Sequence, residues 1–260
     1  MVVAVSAATF TGISLAQDWY VSGQVAWIDQ DRSANGGELN ADFTTGESGG
    51  LLPVATVLPA DSSVRLRTKF EDGYSASLEL GRKLDDVTRI PGLRGAIEVV
   101  YSKADVDEHE RLTFGGLNID GADLSALTGD PVATGITVGD ALRNGEGNVQ
   151  NTAVFLNVYK DFGSVNGIKP YLGVGLGVTE VDVKYQPSDI NFVQDDDVKF
   201  AWQGKVGATY TLNNRFDIFA EGAYRASRDV DVRTNLIPAN IDVENEQFHV
   251  GVGLRMRFGH

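Results

Sequence analysis

From Trp19 onward the chain repeats one pattern, apolar side chains at every second position with polar or small ones between them. Successive side chains of a strand face opposite sides, so this alternation describes strands whose two faces meet different surroundings. The last segment shows it most plainly. Phe248, Val250, Val252, Leu254, Met256 and Phe258 take one face, while His249, Gly251, Gly253, Arg255 and Arg257 take the other. Residues 200–212 set Phe200, Trp202, Val206, Ala208, Tyr210 and Leu212 against Gln203, Lys205, Gly207, Thr209 and Thr211. In 216–226 the sets are Phe216, Ile218, Ala220, Gly222 and Tyr224 against Asp217, Phe219, Glu221, Ala223 and Arg225. Residues 171–178 place Leu172, Val174, Leu176 and Val178 around Gly173, Gly175 and Gly177.

The first half follows the same rule with more noise. Trp19, Val21, Val25 and Trp27 oppose Ser22, Gln24 and Ala26; Tyr74, Ala76, Leu78, Leu80 and Leu84 oppose Ser75, Ser77, Glu79 and Lys83. Leu93, Ile97, Val99 and Tyr101 oppose Arg94, Ala96 and Glu98, and Val154, Leu156 and Val158 oppose Phe155, Asn157, Tyr159 and Asp161. Short turns at Asp85–Gly92, Gly163–Ile168 and 213–215 alternate with four long polar connections at 30–72, 104–149, 186–198 and 229–246. That rhythm predicts an all-β, eight-stranded up-and-down antiparallel transmembrane β-barrel, with short periplasmic turns, four long extracellular loops and both termini in the periplasm. Strand propensity at 64–70 and 181–185 extends some crossings beyond the membrane. Residues 121–127 and 138–142 are candidates for short helices inside the second long loop.

Alternation alone does not say which face is which, because soluble ligand-carrying barrels point their large apolar residues inward. Aromatics gathered at strand ends suit the interfacial girdles of a membrane barrel. The first residues, MVVAVSAATFTGISLA, are apolar and small and read as a cleavable signal over 1–16, although no Lys or Arg precedes the apolar run; 17–260 is then one barrel domain. Zero cysteines exclude disulfide staples and thiolate sites. A net charge of -14 argues against a nucleic-acid partner.

At Gly253-Leu254-Arg255-Met256-Arg257-Phe258 the sequence resembles the C-terminal insertion signal of outer-membrane proteins. The resemblance implies recognition by the barrel-assembly machinery through Gly253, Met256 and Phe258, with Gly259-His260 following the aromatic as a departure. Residues 168–177 and 202–207 resemble the fifth and sixth strands of opacity-type proteins, the porin-family small barrels of Gram-negative bacteria that share the fold of the transmembrane part of outer membrane protein A. The likeness spans roughly residues 150–258 and implies a surface adhesin, an envelope-stabilising protein or a weak pore.

An eight-stranded barrel is only wide enough for side chains to fill it. Counting back from the turns puts Lys205 opposite Glu221 or one pair away, and Glu79 near Glu98. Carboxylates sharing a narrow lumen need cations, and Arg94, Lys205, Arg225 and Arg255 are the candidates, with Arg255 nearer the periplasm. A lumen charge network of Glu79, Arg94, Glu98, Lys205, Glu221, Arg225 and Arg255 would narrow the pore; the plainer reading is a set of separately hydrated residues. Phe155 and Tyr159 should lie against Gly177 and Gly173, where missing side chains leave room for rings.

Other chemistry is weakly supported. Gly173–Gly177 lacks the spacing and the lysine of a nucleotide loop. The histidines His109, His249 and His260 stand in no nucleophile–base pattern, so neither an enzyme nor a bound cofactor is expected. Asp195–Asp197 and Asp105–Glu110 supply hard oxygen ligands, but without the spacing of a calcium loop, and a solvated acidic surface is the default. Two functions remain. One is a structural or surface-interaction barrel that meets outer-membrane lipid, lipopolysaccharide and a surface partner through its loops; the other is a narrow channel for ions or small solutes.

Overall fold

The computed structural model describes residues 18–29, 33–70, 72–143, 145–187, 193–228, 230–233, 237–243 and 246–258. The predicted signal segment lies outside the described residues. The first crossing, β1 (Trp19–Asp29), leads into an excursion containing β2 (Ser33–Leu39), β3 (Phe43–Thr44), β4 (Val57–Leu58) and β5 (Ser63–Phe70). The chain returns as β6 (Gly73–Lys83), turns through α1 (Asp85–Thr88) and leaves again as β7 (Leu93–Phe114). A second excursion holds β8 (Leu117–Asn118), α2 (Ser125–Thr128) and α3 (Val138–Arg143) before β9 (Gly145–Asp161). Then come β10 (Ile168–Pro187), β11 (Val193–Thr211) and β12 (Phe216–Ser227), a last excursion with β13 (Val230–Arg233) and β14 (Ala239–Val243), and β15 (Glu246–Arg257).

Eight of these strands form the barrel, β1-β6-β7-β9-β10-β11-β12-β15, each paired antiparallel with its neighbours. Closure comes from β1 against β15, from Tyr20↔Arg257 to Asp29↔Phe248. A closed ladder leaves no strand edge, the condition for a sheet in lipid, where an unpaired backbone group finds no water.

Burial decides between the two barrel types. Val25, Leu156, Val174 and Val252 are each more than 60% exposed, whereas Glu98, Gln203 and His249 are at most 2% exposed. The apolar face points out and the polar face in, the inverse of a soluble barrel and the arrangement that lipid selects. Trp27, Tyr74, Trp202, Tyr210, Tyr224 and Phe248 are among the exposed aromatics of that outer wall. Among the described residues no helix is long and apolar enough to cross a membrane, so the strands do the crossing.

The short turns follow from their residues. Asn166 and Gly167 both have positive φ (53° and 85°), and Val165 and Ile168 exchange backbone hydrogen bonds of 2.9 and 3.0 Å. Two left-handed residues between strands match the strands' own twist, which is why Asn-Gly occurs there. At the turn before β12, Asn213 Oδ1 accepts from the N–H groups of Arg215 (2.8 Å) and Phe216 (2.9 Å).

Three of the four long connections, expected from the sequence to be polar loops, instead fold together around apolar residues. Strands β13, β14, β2, β5 and the outer half of β7 form a second sheet above the barrel. Its residues join α2, α3 and the ends of β9 and β10 around a separate core that includes Leu39, Leu66, Leu112, Phe114, Leu127, Val138 and Val181. Each fully buried apolar side chain of this kind contributes about 1.5–3 kcal/mol, so the cap is held by its own apolar burial. The strand at 64–70 is thus not a continuation of β6 but a cap strand, paired with β2 on one side and β7 on the other. Residues 181–185 do continue β10, as expected.

Inside the barrel, glycines make room for rings. Tyr159 lies across from Gly173 and Phe155 across from Gly177. A Cβ on Gly177 would collide with the Val154 carbonyl and stand 2.7 Å from the Phe155 ring, whereas Gly204 on the outer face has nothing within 4 Å. Gly177→Ala should therefore destabilise the barrel by about 1–3 kcal/mol, with Gly204→Ala close to neutral. Denaturant unfolding followed by the electrophoretic shift of the folded barrel checks both.

Candidate functional site

The lumen has three tiers of inward side chains, and the middle tier centres on Glu98. Its Oε1 accepts a hydrogen bond from Lys205 Nζ at 2.9 Å. Its Oε2 accepts from Gln203 Nε2 at 2.8 Å and from Asn157 Nδ2 at 2.9 Å. Lys205 also stands 3.0 Å from Glu221 Oε1, and Tyr171 OH donates to Glu221 Oε2 at 2.8 Å. One ammonium thus bridges two carboxylates, with Glu98, Lys205 and Glu221 all buried. Such a charge is tolerable in a dry lumen only when paired and hydrogen-bonded.

Glu79 stands directly across from Glu98 in the β6–β7 register. No described cation lies within ion-pair distance of it; hydroxyls hold it instead. Tyr159 OH donates to its Oε2, and Tyr20 OH (2.9 Å) and Ser22 Oγ (3.4 Å) donate to its Oε1. Asn157 Nδ2 spans the gap between the two glutamates, 2.9 Å from Glu98 and 3.4 Å from Glu79.

Toward the short-turn end, Arg94 grips Asp161 with Nε to Oδ2 (2.8 Å) and Nη2 to Oδ1 (2.9 Å) and donates Nη1 to Tyr20 OH at 2.7 Å. Its guanidinium carbon lies 4.5 Å from the Tyr159 ring centroid, a cation–π contact. Arg94 therefore reaches Glu79 indirectly, through Tyr20 and over the ring of Tyr159. Arg255 makes no ion pair among the described residues and lies over the rings of Tyr20 (4.8 Å) and Phe219 (5.2 Å). Toward the cap, Arg225 donates Nε to Gln203 Oε1 at 2.7 Å, with Nη2 3.4 Å from Glu98 Oε1. His249 Nδ1 lies 3.0 Å from Ser75 Oγ and 3.4 Å from Arg225 Nη1.

The structure thus brings Glu98, Lys205, Glu221 and Arg225 into direct contact, attaches Glu79 and Arg94 through hydroxyls and an amide, and leaves Arg255 apart. Sequence reasoning missed Tyr20, Tyr171 and the central role of Gln203. Parity would have found the tyrosines, each being adjacent to an outward residue, Val21 and Leu172. Little space remains between these groups: the cavities in the centre and above it measure about 10 and 20 Å3, no more than a single water needs. A third, of about 150 Å3, opens at the short-turn mouth.

Of the assembly-signal residues, Gly253 faces inward, where a Cβ would collide with the Phe219 ring. Met256 is exposed on the outer wall. Phe258 sits at the mouth, its N–H donating to Trp19 O at 2.9 Å.

In the cap, Asp123 is the focus of a hydrogen-bond nest. Its Oδ1 accepts from Ser125 N (3.0 Å), Ser125 Oγ (2.7 Å), Thr134 N (2.7 Å) and Thr134 Oγ1 (2.8 Å), and its Oδ2 from Gly135 N (2.7 Å). Ser125 Oγ also lies 2.8 Å from Glu47 O, tying the first two excursions together. Partial burial opposes ionisation, but the donors from Thr134 and Ser125 outweigh it and hold the carboxyl well below the usual carboxylate range. The side chains of 195–197, of 106–110 and of His109 and His260 lie outside the described residues. Among the described residues no three His, Cys, Asp or Glu gather to hold a metal.

A closed eight-stranded barrel with an apolar outer wall and a packed polar lumen defines an outer-membrane β-barrel protein. A model of the surface antigen family matches residues 87–250, well over half of the chain, and the chain belongs to that family. No sequence relative is found among curated proteins. Solved structures similar in shape include Neisserial surface protein A, with 13% identity and a TM-score of 0.45 over 92% of this chain and 97% of that one. A major outer membrane protein from Thermus thermophilus has 11% identity and a TM-score of 0.47, over 90% of this chain and 99% of that one. The outer membrane protein OprG from Pseudomonas aeruginosa has 14% identity and a TM-score of 0.44, over 94% and 97%. At these identities no residue role transfers.

The Asp123 nest makes the cap sensitive to acid. A carboxyl more acidic in the folded than in the unfolded chain stabilises the cap above the ordinary Asp value of about 3.9, and the effect is lost as pH falls through the lower folded value. Asp123→Asn should speed proteolysis of the 120–143 segment at neutral pH, and the difference from the wild type should shrink on acidification below pH of about 4.

Proposed function

We propose that this chain is a structural, surface-interaction barrel whose lumen does not conduct. Both termini face the periplasm and the cap faces the exterior, the usual placement of short turns and long excursions in such barrels. The filling of the lumen carries this reading: around the Glu98–Lys205 pair the residual cavity is about 10 Å3, and a hydrated ion needs a continuous path of water.

The cap then becomes the working surface. Three long excursions pool their apolar residues in one core, so the exposed side chains above it are presented on a fixed frame rather than on loose loops. Its partners are lipopolysaccharide, outer-membrane lipid and a surface ligand met through the cap, while Gly253, Met256 and Phe258 serve insertion by the assembly machinery. His249 is a structural lumen residue in this account. It is 2% exposed and bonded to Ser75, and it lines neither the mouth cavity nor the two small central ones.

The narrow-channel alternative has the polar lumen wall in its favour, and conductance separates the two. Purified protein in planar bilayers should give no reproducible current steps, and Lys205→Ala, which removes the cation beside Glu221 and leaves Glu98 only Arg225 at 3.4 Å, should introduce flickering openings. Steady unitary steps from the wild type would establish the channel.

A further inference from the structure

At the short-turn end of the barrel, basic residues outnumber acidic ones in the wall of the 150 Å3 cavity. Two of the cations are committed to acids: Arg94 holds Asp161, and Arg257 Nε lies 3.2 Å from Asp217 Oδ2. Arg255 is not. It is 6% exposed, its Nη1 reaches Thr209 Oγ1 only at 3.5 Å, and its Nε has no hydrogen-bond partner among the described residues. Flanking rings soften this burial but supply no anion. A guanidinium buried without a carboxylate or phosphate is unfavourable unless something fills that role.

The groups around Arg255 describe what would fill it. Thr211 Oγ1 lines the same cavity and also lacks a partner, and Lys169 stands exposed at the rim. Asp217 is across from Arg255 in the β12–β15 register, and its Oδ1 is a buried acceptor with no donor. The cavity therefore offers two unused donors and a rim cation beside one unused acceptor. A halide or a fully deprotonated carboxylate would satisfy the donors and repel Asp217. An oxyanion that keeps one protonated oxygen satisfies both. The space exceeds a single water's share of about 30 Å3 several-fold.

We propose that this mouth cavity binds a small oxyanion that keeps a proton, inorganic hydrogen phosphate or the monoprotonated form of a phosphate monoester. Arg255 is its main charge partner, Thr211 a second donor, Lys169 the rim cation, and Asp217 the acceptor for the ligand's hydroxyl. The site lies below the packed middle tier, so it is independent of whether the lumen conducts, and conductance and binding fail separately.

The full chain, 15N-labelled in detergent micelles, tests this. The Arg255 side-chain N–H signal, assigned by its loss in Arg255→Gln, is followed as inorganic phosphate replaces chloride at constant ionic strength. A saturable shift with phosphate and none with chloride is expected. Calorimetric affinity should fall about tenfold or more in Arg255→Gln, the factor one charge-assisted hydrogen bond supplies, and less in Thr211→Val. A parallel titration with glycerol phosphate separates the sources, since a response there extends the site to monoesters and silence restricts it to free phosphate. No saturable shift in the wild type, an equal response to chloride, or full affinity in Arg255→Gln would overturn the proposal. Should Arg255→Gln fail to fold, the wild-type titration together with the double substitution Lys169→Gln and Thr211→Val decides it.

Discussion

Closing eight strands into one cylinder leaves an interior only as wide as the side chains that line it, and every charge pointing inward must find its partner there. The pair of Lys205 with Glu98 and Glu221 is the interaction on which the rest of the lumen depends. Glu98 faces Glu79 across one strand pair, an arrangement that repulsion would oppose in a dry space. Lys205 neutralises one member, and the amides of Asn157 and Gln203 occupy the remaining lone pairs. Glu79, with no ion-paired cation among the described residues, is held by Tyr20, Tyr159 and Ser22. These bulky hydroxyl donors fill the volume that water would otherwise need. Pairing and filling are thus one solution, and the inward glycines at 173 and 177 make it sterically feasible.

The outer wall and the cap answer different solvents. Lipid accepts Val25, Leu156, Val174 and Val252 at high exposure, where water would not. Beyond the lipid, the same chain must bury apolar groups again, and it does so by pooling Leu39, Leu66, Leu112 and Phe114 from separate excursions. The β7 strand joins the two worlds, lying in the barrel at one end and in the cap sheet at the other. The cap is thus a packed body with its own apolar core, joined to the barrel through a continuous strand.

Much of the barrel was legible in the sequence because period two assigns a face to every residue once one is placed. Glu79 against Glu98, and Lys205 one pair from Glu221, follow from counting back from tight turns. Counting fails where a long excursion intervenes. Arg94 and Asp161 meet across β7 and β9, which the second excursion separates, so their pairing had no turn to count from. Arg255 illustrates a second limit, since parity puts it in the lumen but does not reveal that it makes no ion pair among the described residues, Asp217 across from it being held by Arg257. Pieces of the cap were legible, the strand at 64–70 and the helices near 121–127 and 138–142, but their assembly was not, because strands such as Ser33–Leu39 are short and glycine-rich and pair with segments remote in the chain.

The proposed closure of the lumen rests on Glu98 and Lys205 acting as a unit, and a double-mutant cycle between Glu98→Gln and Lys205→Met measures that directly. Unfolding free energies of the two single variants and the double variant in micelles should give a coupling of about 2 kcal/mol or more, with the double variant less destabilised than the sum of the singles. Additive losses, with coupling indistinguishable from zero, would contradict the account and leave the lumen charges as independent, separately hydrated groups.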